Sequence, residues 1–298
     1  MTDSREFALP LARAVPFTAR ALLTLTKPRV ASASILTALA GFAATPGHGG
    51  LAEHVLLLAG AGMAAGGTLA FNQWWERDTD PLMGRTRQRP LVQGQISPTL
   101  ALAWSTLLTL AGIALLAGVF SAATAGIAAA ICIIYGFVYT PMKRMTHWAT
   151  EVGSVSGALP PLLGSAAAGN IWSTPAVVLS VVLLFWQMPH FFAIGWIYRH
   201  DYRAAGLPLL PAEDKTGHRT ARWSLAYTSL LALVLVLPWL LGRMGAWYGF
   251  TATACAVVLL GMAVRFLRQP EDQRARALFR TTLFTLMPLM LALVMDRP

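Results

Sequence analysis

The chain has 298 residues, of which 56% are hydrophobic and only 12% charged, with a mean hydropathy of +0.56. A soluble domain carries about 25% charged residues, so half that share excludes an ordinary water-facing globule. The net charge of +10 would suit a nucleic-acid binder, but the placement of the basic residues assigns them to membrane topology and leaves no nucleic-acid partner.

Residues 1–20 carry Asp3, Arg5, Glu6, Arg13 and Arg20 around Phe7, Leu9, Leu11 and Phe17. They read as a cytoplasmic or interfacial segment without a removable signal peptide. Residues 21–298 read as a single domain, with no strong internal repeat. Nine apolar stretches follow, at roughly 21–44, 52–75, 98–119, 121–140, 149–168, 173–197, 223–242, 245–264 and 277–295. Each can cross a hydrocarbon core of about 30 Å at about 1.5 Å per residue.

With the N-terminus inside, 21 of the 23 Lys and Arg residues fall in inner segments, and only Arg243 and Arg297 fall outside. That split follows the positive-inside rule. The expected architecture is all-α: a polytopic bundle of nine transmembrane helices with a central cavity opening to the cytoplasmic side. Its expected place is the bacterial inner membrane, with the N-terminus cytoplasmic and the C-terminus periplasmic. Cys132 and Cys255 lie mid-span without a CxxC and read as packing residues. The outer connections are short, whereas the inner loops at 76–97, 141–148 and 198–222 hold nearly all the unusual residues. Function is therefore expected at the inner face. The charged loop 265–276 reads as a solvated topogenic segment.

The second span ends in FNQWWERDTDPLMGRTRQRPL. Asn72, Glu76 and Asp80 are four apart and form one helical stripe about 12 Å long. Asp78 lies off that stripe, and Pro81 predicts that the helix stops at or just before Asp80. Carboxylates in a last helical turn oppose the macrodipole, and at a bilayer edge their ionised form is costly. A divalent cation would relieve both penalties. Hard oxygen ligands suit Mg2+ bridging carboxylates to phosphates. Arg85, Arg87 and Arg89 follow, and guanidinium forks bind phosphate oxygens. The combination reads as a diphosphate site. This segment resembles the first aspartate-rich motif of the intramembrane prenyltransferase superfamily typified by 4-hydroxybenzoate polyprenyltransferases, with Glu76 where members often have Asp.

Further along, YGFVYTPMKRMTHW gathers Tyr135, Tyr139, Lys143 and Arg144 at the inner interface, and YTPMKRMT resembles a segment of the protoheme IX farnesyltransferases (haem O synthases). That family usually has Asn where Ala149 stands and an apolar residue near Glu151, which reads here as a helix cap. The sixth span ends in WQMPHFFAIGWIYRHDYRAAGLPLLP. His190 lies among Trp186, Phe191 and Phe192, and Asp201 lies with Arg199, His200 and Tyr202. WQMPHF, DYRAAGLPLLP and the LTKPRV of Leu25–Val30 are similar to segments of the same family. The Asp-x-x-x-Asp second motif of the aromatic-acceptor enzymes is missing, since Ala205 stands four residues after Asp201.

The resemblance implies transfer of a farnesyl group from farnesyl diphosphate to a vinyl group of haem B, with water addition, giving haem O and diphosphate. It implies Mg2+ held by Glu76, Asp78, Asp80 and Asp201. Asn72, Glu76, Asp80, Asp201 and Lys143 would be catalytic, and Arg85, Arg87, Arg144 and Arg199 would bind diphosphate. His190, Tyr139 and Trp186 would meet the haem acceptor. Membrane lipid, and a haem A synthase or terminal oxidase assembly protein, are the further partners implied. Two alternatives remain at this point: a prenyltransferase for an aromatic or quinone precursor, and a transporter of an anionic metabolite.

Overall fold

Pro28 divides the first predicted span into two helices. In a computed structural model, which describes residues 19–46 and 49–296, α1 (Ala19–Leu25) gives way to α2 (Pro28–Ala44) across Lys27. Lys27 is left-handed (φ 47°, ψ 62°), the only non-glycine residue with positive φ among those described. A following proline disfavours right-handed helix at this position, while Pro28 itself suits the first turn of α2. The predicted N-terminal segment lies outside the described residues up to position 18.

The remaining helices are α3 (Leu51–Trp75), α4 (Pro98–Val119) and α5 (Ala122–Ile133), which runs through a π segment (Ile134–Tyr139) into α6 (Thr140–Met142). Then come α7 (Ala149–Ala158), α8 (Pro160–Ala167), α9 (Thr174–Ile197), α10 (Arg199–Ala204) and α11 (Leu210–Glu213). The chain closes with α12 (His218–Leu240), α13 (Ala246–Arg268) and α14 (Asp272–Met295). No strand occurs among the described residues, in keeping with the all-α expectation.

Among the described residues, seven segments are long and apolar enough to cross a membrane: α3, α4, the 122–142 run, α9, α12, α13 and α14. The other two predicted spans are not continuous helices of that length. The first is cut at Lys27, leaving 17 residues in α2. The fifth is cut at Leu159, where Pro160 and Pro161 remove two backbone donors.

Two apolar clusters organise the bundle. Phe42, Leu57, Leu116, Ala128 and Leu163 join α2, α3, α4, α5 and α8. Leu183, Leu231, Leu235, Tyr248, Leu259 and Leu289 join α9, α12, α13 and α14. Helices α3 and α4 approach so closely that a Cβ on Gly112 would lie 2.6 Å from the Gly60 carbonyl oxygen. Such small-residue contact is how helices associate where surrounding lipid removes the hydrophobic drive. The outer surface is apolar instead, with Phe250 68% and Phe284 78% exposed.

The predicted inner loops gather at one end of the bundle. There Lys143 meets Glu76, Arg199 meets Asp272, and Gly217 packs against Trp196 and Pro270. At the other end Thr45, Ser165 and Ser173 share hydroxyl hydrogen bonds, and Asp296 accepts from Tyr248 N at 2.6 Å.

Candidate active site

The regular helix of α3 ends at Trp75, yet the chain keeps turning. Glu76 N donates to Asn72 O (3.0 Å), and Asp80 N donates to Glu76 O (2.9 Å). The predicted stripe of Asn72, Glu76 and Asp80 therefore survives the helix end, and Asp80 opens a 3-10 turn with Pro81. All three side chains are buried, Asp80 completely.

Burial of that much charge requires paired cations. Arg89 Nη1 donates to Asp80 Oδ2 (2.6 Å) and Oδ1 (2.7 Å), and reaches Glu76 Oε2 at 3.3 Å. Lys143 Nζ donates to Glu76 Oε1 at 2.7 Å. Lys27 Nζ donates to Asn72 Oδ1 at 2.7 Å, while Asn72 Nδ2 donates to Thr140 Oγ1 at 3.3 Å. The left-handed turn at Lys27, which costs about 1–2 kcal/mol for a residue with a Cβ, thus sits where its side chain joins this network.

Burial pushes the Glu76 carboxyl up, but Lys143, Lys27 and Arg89 outweigh it and hold the pKa at about 2. At Asp80 burial prevails over Arg89 and the carboxyl is raised, with Glu76 adding repulsion. Burial alone would lower the Lys143 ammonium, yet Glu76 lifts it above its usual range.

The second acidic segment is brought alongside by apolar docking. Met83, from the loop after α3, is buried with Ala205 and Leu207 beside Tyr202 and Leu209. Across this contact Asp201 Oδ2 accepts from Arg85 N at 3.3 Å. The Arg85 guanidinium lies 5.2 Å from the Tyr198 ring centre, and its Nη2 donates to Tyr202 Oη at 3.4 Å.

Other residues expected at the site are placed elsewhere. Asp78 is exposed and 3.8 Å from Arg77, off the stripe as expected. Arg87 is exposed. Arg144 donates to the Trp75 carbonyl at the end of α3 (3.1 Å). Arg199 is committed to Asp272 (2.6 Å) and to the Trp196 carbonyl (2.7 Å), so its fork is directed to α14 and not to Glu76 or Asp80. Among the described residues no group of three or more His, Cys, Asp or Glu side chains is gathered as a metal cage. The donor chemistry at Glu76, Asp80 and Asp201 nonetheless fits a hard cation of the Mg2+ kind, which completes its shell with water and phosphate oxygens.

Beside this charged cluster lies a small cleft of mixed polar and apolar lining, bounded by Tyr139, Thr150, Phe192, Gly195, Tyr202 and Pro211 among others. Tyr139 links cleft and cluster, because Lys143 Nζ sits 4.4 Å from its ring centre. Trp186 and His190 face α14. His190 Nδ1 is 2.9 Å from Thr282 Oγ1, and Trp186 Nε1 donates to Thr282 O at 2.8 Å.

The sequence matches the UbiA prenyltransferase family over residues 34–287. The chain belongs to that family. It is 38% identical to a protoheme IX farnesyltransferase of Opitutus terrae over 92% of this chain and 94% of that one. It is 36% identical to one of Myxococcus xanthus over 96% and 97%. Among solved structures, a digeranylgeranylglyceryl phosphate synthase superposes with TM-score 0.77 at 16% identity, covering 92% of this chain and 96% of that one. A UbiA homolog from Archaeoglobus fulgidus bound to GPP and Mg2+ superposes at 0.66 and 15% identity, over 92% and 99%. The protein is thus a membrane-spanning prenyltransferase of the UbiA fold.

In this UbiA-family prenyltransferase, two residues hold the network in ways the sequence does not announce. Arg89 reads from sequence as a phosphate fork beside Arg85 and Arg87, but nothing in its spacing says that it folds back onto Asp80. Lys27 lay in a recognised segment, LTKPRV, and only the turn before Pro28 directs it to Asn72.

Proposed function

We propose that this protein transfers a farnesyl group from farnesyl diphosphate to a vinyl group of haem B, yielding haem O and diphosphate. The observation that carries this reading is the extent of likeness to protoheme IX farnesyltransferases, 92–96% of the chain in the two relatives above. The charged cluster, with Tyr139 shared between it and a cleft that Phe191 and Phe192 also line, suits a substrate with an anionic head and a terpene tail.

In this scheme the C–O bond to diphosphate breaks, farnesyl C1 bonds to the terminal vinyl carbon, and water adds at the inner carbon with loss of a proton. Bound Mg2+ would neutralise the diphosphate, held by Glu76, Asp80 and Asp201 with Asp78 at the rim. Lys143, Arg85 and Arg87 donate to phosphate oxygens as charge develops there, with Arg144 at the edge of the cluster. Arg89 keeps Asp80 and Glu76 in register, Asn72 holds Lys27 against the site, and Arg199 ties α10, which carries Asp201, to Asp272 of α14. Tyr139 covers the start of the prenyl chain with an aromatic face suited to an allylic cation. Trp186 and His190 meet the haem. The site faces the cytoplasm from the inner membrane, with the N-terminus cytoplasmic and the C-terminus periplasmic. A haem A synthase or oxidase assembly protein would receive the product.

The test is incubation of purified protein with haem B, farnesyl diphosphate and Mg2+, followed by mass analysis of the haems. Haem O is the expected product. An active preparation that leaves haem B unchanged and instead prenylates 4-hydroxybenzoate would overturn the proposal.

A further inference from the structure

The hydrogen bonds around His190 assign its tautomer. Thr282 Oγ1 donates its single proton to the Phe279 carbonyl at 2.7 Å. Toward His190 Nδ1, 2.9 Å away, the hydroxyl is then the acceptor, so Nδ1 carries the ring proton and Nε2 carries the bare lone pair. Among the described residues nothing hydrogen-bonds Nε2.

The ring cannot turn freely to spend that lone pair elsewhere. It stacks on Trp186 (centroids 5.0 Å, 21°), meets Phe279 at 4.7 Å, and has Phe191 at its edge, 5.7 Å away. Trp186 is itself tied to Thr282 O, so α9 and α14 hold the imidazole from two sides.

An oriented imidazole, with one nitrogen hydrogen-bonded and the other bare, is the arrangement of a metal-ligating histidine. Yet no other His, Cys, Asp or Glu gathers with it among the described residues, and one nitrogen among aromatic rings cannot retain a free ion. It can complete the coordination of a metal already held in the plane of a chelate. The rings around the imidazole are apolar, as the faces of such a chelate are. Resting on the haem reading above, we propose that His190 Nε2 is an axial ligand to the iron of the porphyrin acceptor. Thr282 is then a positioning residue that fixes the donor tautomer.

The test uses the purified full-length chain in detergent, titrated with ferric haem B and separately with iron-free protoporphyrin IX. Wild type should shift the haem Soret band and bind haem B more tightly than protoporphyrin. His190→Ala should lose both the shift and the preference for iron. Thr282→Val should weaken haem B binding by roughly 10- to 100-fold, the usual effect of removing a partner from a metal-bound histidine. Thr282→Ser, which keeps the hydroxyl, should bind as wild type. If His190→Ala does not fold, the contrast between the Val and Ser variants decides alone. An unchanged Soret band and iron preference in His190→Ala, or equal haem affinity in Thr282→Val and wild type, would overturn the proposal. Wild type that shows the ligation spectrum but makes no haem O would refute the proposed function and leave the ligand standing.

Discussion

Arg89 grips both carboxylate oxygens of Asp80 through one guanidinium nitrogen, at 2.6 and 2.7 Å. The Asp80 side chain is almost sealed from solvent and Arg89 is largely buried. Removing the cation would strand a carboxylate in an apolar site. Arg89→Ala should therefore cost about 3–5 kcal/mol, the usual penalty for breaking a buried pair. Thermal unfolding in detergent reads this directly, and an unshifted midpoint would show that the pair carries no such weight.

The electrostatics at Glu76 and Asp80 bear on metal dependence. Arg89 and Lys143 already balance these acids in the fold. Chelating divalent cations should then abolish prenyl transfer while leaving the thermal midpoint of the ligand-free protein in place. A large fall in that midpoint on chelation would mean that the fold itself depends on bound metal.

Lys27 reaches Asn72 from a strained turn. Replacing it with Met keeps the volume and removes the ammonium from the diphosphate end of the site. Lys27→Met should lower kcat/KM for the prenyl diphosphate by about tenfold or more, the scale of losing one charged donor to a developing anion. Unaltered steady-state kinetics would separate Lys27 from the reaction.

Gly153 leaves room for Tyr139, since a Cβ there would lie 2.6 Å from the ring. Gly153→Ala should displace Tyr139 from the cleft and raise KM for the prenyl donor. Gly126 in α5 has open space around it. Gly126→Ala should leave KM alone and stabilise the helix by up to about 1 kcal/mol. Equal KM values in the two variants would contradict the assigned role of Tyr139.

Asp214 offers a pH signature away from the site. Burial raises its carboxyl, but hydrogen bonds from Thr220 N and Oγ1, Gly217 N and Thr216 N outweigh burial and lower it. Because its folded pKa lies below its ordinary 3.8, Asp214 stabilises the protein above that pH. The contribution fades as pH falls through the lower folded value. Asp214→Asn should therefore be less stable than wild type at neutral pH, with the gap closing as acid is added. A gap that stays constant down to pH 3 would rule out the ionised cap.

Much of this protein was legible in its sequence, and the reason is energetic. A bilayer demands long apolar helices, so seven of the nine expected spans follow from composition and order among the described residues, while the first and fifth are broken at Lys27 and Leu159. The four-residue spacing of Asn72, Glu76 and Asp80 was equally readable, because helical geometry is local. Contacts between distant segments were not. That Arg89 folds back on Asp80, that Lys27 reaches Asn72, and that Arg199 turns to Asp272 depend on how loops pack. The docking of Met83 onto Ala205 and Leu207 brings Asp201 to the first acidic loop, and no periodicity encodes it. The tautomer of His190 likewise waits on Thr282, a helix and 92 residues of chain away, because a hydrogen bond is decided by atoms in space.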